Sequence, residues 1–110
     1  MFYRTFLIHF NHTKLIKYLP IGHFIHFHDF TQKEIEDFYR QVGKNVKKIR
    51  KEKNISQMEL ALAIGHNSVG HVAKAELFTF NKHFNLEQLY KIAVVLDVSL
   101  CDLLPNKKPL

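Results

Sequence analysis

Tryptophan is absent from the 110-residue chain, and cysteine occurs once, at Cys101. A lone thiol excludes an internal disulfide and offers no cysteine pair for a zinc site. Four glycines and three prolines are too few for a fibrous chain, and an apolar content of 46% argues against disorder. No apolar run approaches the ~20 residues of a membrane-spanning helix. The opening stretch, MFYRTFLIHF, is apolar but is interrupted by His9, Asn11 and His12. No small-residue cleavage site follows, so no secretory signal is expected. Nor is there a Ser/His/Asp set, a carboxylate pair or a glycine-rich phosphate loop, so neither an enzyme nor a cofactor is expected. These absences leave a single cytoplasmic domain, with Cys101 expected as a small core residue.

What the chain does have is unevenly placed charge. The net charge is +6. Residues 1–30 hold three cations against Asp29, residues 31–53 hold eight against four acids, and residues 54–110 balance five against five. KNVKKIRKEK, Lys44 to Lys53, packs six cations into ten positions. Such a band is either a solvated helix face or the footprint of a polyanion.

Residues 1–30 differ in composition from the rest. They carry five of the eight histidines and six of the ten phenylalanines. TFLIHF and HFIHFHDF have the aromatic and β-branched character of strands, but two isolated strands are marginal in water. The expectation is an irregular extension, either native or read from AT-rich sequence upstream of the true start. His9, His12, His23, His26 and His28 lack the spacing and the Cys or carboxylate support of a known site, so no metal is expected.

Helical order is expected from Thr31, where TQKE forms a capping box with Glu34. Ile35, Phe38, Val42, Val46 and Ile49 then trace one helical face, with Lys44, Lys47, Lys48 and Lys51 opposite. Asn54 is a reasonable stop. Ser56 with Glu59 opens a second helix, with Met58, Leu60 or Ala61, Leu62 and Ile64 expected inside, and Gly65 ends it. A third helix follows Asn67 or Ser68. Asn85 with Gln88 caps a fourth, whose inner face is Leu86, Leu89, Ile92, Ala93 and Leu96. Ser99 caps a short fifth, which Pro105 stops. The fold class is therefore all-α. Residues 1–30 form an extension, 31–104 the helical domain and 105–110 a tail.

In SQMELALAIGHNSVGHVAKAE, Ser56 to Glu76, two short helices meet at a glycine. With VKKIRKEKNISQMELA before it and NLEQLYKIAVVLDVSLCDLL after it, the stretch resembles the Cro/cI-type (XRE family) helix-turn-helix domain of bacterial and phage regulators. The resemblance covers residues 46–104. It implies a compact five-helix, lambda-repressor-like fold and a sequence-specific DNA-binding regulator, a repressor most simply, acting as a homodimer on double-stranded DNA. The third helix, residues 67–76, would read the major groove. An alternative is an antitoxin or similar interaction module that binds DNA and a protein partner.

By the same resemblance, Gln57 falls at the DNA backbone, its amide assisted by the second helix's free N–H groups; its other reading is support of the cap. His66, Asn67, Ser68 and His71 stand at the start of the reading helix. Asn can pair with adenine, while Ser and His are more permissive. His71 could instead pack against the first helix or face solvent. Lys74, Thr79, Asn81 and Lys82 are expected at phosphates, with Lys47, Arg50 and Lys51 extending the footprint. Glu76 reads as structural, with a salt bridge to Arg50 available. Two departures stand out. Gly65 to Glu76 is one step longer than usual. The following loop, Leu77 to Phe84, is longer than the family's, lacks its customary Gly and carries Leu77, Phe78, Phe80 and Phe84.

Overall fold

The computed structural model describes residues 6–10, 14–18, 24–65 and 68–106, with side chains from His28 onward. Two compact units divide the chain, Met1–Gln32 and Lys33–Leu110.

In the first unit, β1 (Phe6–Phe10), β2 (Lys14–Tyr18) and β3 (Phe24–His28) form an antiparallel sheet in the order β1-β2-β3. Ile8, Ile16 and His26 make its central row. β1 and β3 lie where strand character is legible; β2 lies where none is expected, and it gives both a hydrogen-bonding neighbour. The extension expected to be irregular thus has regular backbone through these strands, because three strands pair where two would be marginal. His9, His26 and His28 do not pair with one another across the ladder; their partners include Leu15, Ile16 and Lys14.

The second unit is all-α among its described residues, with α1 (Gln32–Glu52), α2 (Gln57–Ala63), α3 (Val69–Leu77), α4 (Leu86–Leu96) and α5 (Leu100–Leu103). Capping boxes open α2, α4 and α5 at Ser56, Asn85 and Ser99. Left-handed residues close α1 and α4, at Asn54 (φ 58°) and Asp97 (φ 54°). Val46, Leu60, Val72, Ile92, Leu96 and Leu103 are fully enclosed and draw all five helices around one core. Asn45 Nδ2 donates to the carbonyls of Leu103 and Leu104, tying α1 to the end of α5.

Several apolar positions expected inside lie outside. Met58 and Leu62 are exposed because the inner stripe of α2 is Leu60, Ala61 and Ile64, and the two fall about 160° from Leu60. Ile35 and Phe38 are also exposed, since the core contribution of α1 begins at Val42. Leu86 opens α4 outside the core cluster, and Cys101 is exposed rather than packed.

Candidate nucleic-acid interface

α2 and α3 are joined by a turn that begins with Gly65 at φ 74°, a conformation a side chain would strain. Ser56 Oγ accepts from the Glu59 amide at 3.1 Å, and Ser56 N–H donates to Glu59 Oε2 at 2.6 Å. The Ser56 backbone bond, followed by that of its hydroxyl, holds the Glu59 carboxyl below its ordinary value. α3 turns Val72, Ala75 and Glu76 inward. It approaches α1 at Gly43, where a Cβ would stand 2.5 Å from the Ala75 carbonyl oxygen and 2.6 Å from that of Glu76. Gly70 is different: a Cβ there would meet only Ser68 Oγ, at 3.4 Å, so packing does not demand the glycine.

A buried polar network fixes the angle of α3. Arg50 Nε donates to Glu76 Oε1 at 2.6 Å and Nη2 to Oε2 at 3.0 Å, a two-pronged ion pair. Arg50 Nη1 donates to the Ile55 carbonyl at 2.9 Å, and Gln57 Nε2 donates to Glu76 Oε2 at 2.9 Å. One carboxylate thus collects groups from α1 and α2. Glu76 is structural, as expected. Arg50, expected among the phosphate contacts, is corrected: its guanidinium is enclosed and committed to Glu76 and Ile55, so it cannot reach a phosphate.

The other expected residues separate into groups. Gln57 is half-buried at the start of α2, with its amide partly engaged by Glu76. Ser68 is exposed at the N-cap of α3, and its hydroxyl makes no cap bond. His71 is half-buried and meets Phe84 edge-on at 6.2 Å. His66 and Asn67 lie outside the described residues. Lys74, Thr79, Asn81 and Lys82 are all exposed on the last turns of α3 and the turn after it. Thr79 Oγ1 makes a long bond, 3.5 Å, to the Lys74 carbonyl. Lys44, Lys48 and Lys51 are exposed on the side of α1 away from Val46; relative to Gly43, where α3 approaches, Lys48 lies opposite and Lys44 and Lys51 lie at the sides.

A second cluster is not apparent from the sequence. The Tyr39 ring stacks on His83 at 4.0 Å and on Phe78 at 5.8 Å, and Arg40 lies 5.2 Å over Phe78. The first half of α1 thereby clamps the turn that follows α3. The only hint is aromatic density on both sides; periodicity is silent about pairs this far apart in the chain. Among the described residues no group of three or more His, Cys, Asp or Glu could hold a metal, and no helix is long and apolar enough to cross a membrane.

Two short helices crossing at a glycine turn, the second with a polar outer edge, define a helix-turn-helix protein. Residues 46–103 match the family described as Helix-turn-helix, within one residue of the span read from sequence. The crystal structure of the restriction-modification controller protein C.AhdI from Aeromonas hydrophila is similar, with a TM-score of 0.53 and 25% identity. That similarity covers 59% of this chain and 94% of that one. No curated protein sequence matches. The chain belongs to the helix-turn-helix family of XRE type, and it is a DNA-binding transcription regulator.

Proposed function

We propose that the chain is a sequence-specific repressor that reads the major groove with the segment 67–76 and occupies paired half-sites as a homodimer. The observation that carries this reading is the Arg50–Glu76–Gln57 network. It ties the inner side of α3 to α1 and α2, so the outer side, with Ser68 and Lys74, projects at a set angle. Base readout needs that rigidity, because a good bidentate contact tolerates little displacement. Lys74, Thr79, Asn81 and Lys82 supply cations and hydrogen-bond donors for phosphates beside the read bases. Gln57 keeps an amide hydrogen for a phosphate after serving Glu76, since an amide has two. His71 contributes at most the edge of a half-buried ring. Two-fold pairing follows from the way such helices read half-sites one helical turn apart, and occupying an operator excludes other proteins from it.

The test is selection from a random duplex pool by the full chain, followed by binding measured as salt rises. The expected outcome is a recovered consensus with two-fold symmetry, bound in preference to competitor DNA at all salt concentrations. Retention of every duplex equally, or of none at low salt, would remove the reading.

A further inference from the structure

The turn after α3 places three residues at positive φ: Phe78 at 54°, Phe80 at 53° and Asn81 at 56°. A bulky side chain there is strained, and such strain persists only where the surroundings over-determine it. For Phe78 the surroundings are plain. It is 7% exposed, stacked on Tyr39 and covered by Arg40. Phe80 carries the same strain and has no such cover: it is 81% exposed. Lys74 Nζ lies over it, 5.4 Å from the ring centroid. The anchored Phe78 thus holds a turn that presents Phe80 to the outside.

The surroundings of the exposed ring point to its occupant. Lys74 lies on the outer side of α3, so Phe80 stands beside that side. Thr79, Asn81 and Lys82 flank it, all exposed. Between Glu59 and Glu87 the one carboxylate is Glu76, and it is buried in its ion pair. An apolar ring set among cations and hydrogen-bond donors, in a stretch of chain that carries no exposed acid, complements a nucleic acid, whose base and sugar faces lie between phosphates.

We propose that Phe80 is a DNA contact: its ring wedges at the flank of the site against the sugar and base of a flexible step, while Lys74, Thr79, Asn81 and Lys82 hold the phosphates around it. The wedge rests on α3 being the reading helix. Apolar wedges of this kind unstack a base step and bend the duplex, so Phe80 would contribute both affinity and shape selectivity at a step the helix itself does not read.

The test uses the full chain with Phe80→Gly and Phe80→Ala, on the duplex selected by the unmodified protein. Glycine accepts positive φ freely, so the Phe80→Gly chain should melt at the same or a higher temperature. Its affinity for that duplex should fall roughly tenfold, and the bend read by circular permutation should shrink. The salt slope should not change, because the ring neutralises no phosphate. Phe80→Ala should lose affinity alike. Unchanged affinity and bend in Phe80→Gly would overturn the wedge while leaving the reading helix intact, as a loss on Lys74→Ala would show. A lowered melting temperature that accounts for the lost binding would make the ring structural and overturn it too. Unchanged DNA binding with altered sedimentation would assign the ring to a protein contact instead. Failure of the unmodified chain to select any duplex would end both readings.

Discussion

At Gly43 the α1 and α3 backbones come so close that a methyl group would overlap two carbonyl oxygens of α3. In most helices Gly→Ala adds about 1 kcal/mol of helix propensity. Here the obstructing atoms are main chain and cannot rotate away, so Gly43→Ala should cost a net ~1–3 kcal/mol of overpacking, read as a lower urea midpoint. The Arg50–Glu76 pair obeys a different rule. Arg50→Ala leaves a buried carboxylate without its countercharge and should cost about 3–5 kcal/mol. Replacing both partners together, Arg50→Met with Glu76→Leu, should recover most of that loss, because neither variant side chain then needs a partner. A double-mutant cycle in denaturant measures the difference, and additive losses would contradict it.

The helices stand at the next scale, where α2 is the shortest element that must hold a fixed angle. Its capping box depends on an ionised Glu59, whose carboxyl is held below the ordinary value of 4.5 by the Ser56 amide first and its hydroxyl second. The folded value is depressed, so this contribution is fully present above the ordinary value. It is lost as pH falls through the folded one. Acidification through that window should therefore reduce the protection of the amides at the start of α2, measured relative to their intrinsic exchange rate at each pH. In Glu59→Gln, which carries no titrating group there, the response should disappear. Boxes of this kind are also why the helices are legible from sequence: Ser56 with Glu59 and Asn85 with Gln88 mark the starts of α2 and α4 by residue type alone. What stays hidden depends on contacts between distant segments. Nothing local says that Phe78 turns inward and Phe80 outward, because Tyr39, thirty-nine positions before Phe78, decides it. The inward turn of Arg50 is half legible: a salt bridge to Glu76 is available from the sequence, but nothing within a run of lysines says that Arg50 is the cation enclosed. Lys74, Thr79, Asn81 and Lys82 are exposed, which leaves their expected place at phosphates open to the proposed test, whereas the enclosure of Arg50 and the outward turn of Phe80 depend on tertiary contacts.

Across the whole molecule the charge is lopsided: residues 31–53 carry four of the six net positive charges. Lys44, Lys48 and Lys51 stand off the α1 face that meets α3 at Gly43 and Arg50, Lys48 opposite it and Lys44 and Lys51 at its sides, on a helix about 10–12 Å across. With α3 in a groove, these lysines act on the duplex through the field rather than by contact. The Debye length is about 8 Å at physiological ionic strength, so their influence belongs to low salt. The triple variant Lys44→Ala, Lys48→Ala, Lys51→Ala should therefore associate with the selected duplex up to about tenfold more slowly at low salt. Dissociation should be unchanged, and the difference should vanish near physiological salt. Lys74→Ala should behave oppositely, losing affinity at every salt concentration and reducing the salt slope by about one phosphate. Stopped-flow association and competitor-chased dissociation separate the two effects. Faster dissociation in the triple variant would mean that α1 touches the duplex directly, and would require the DNA to bend around the domain to reach it.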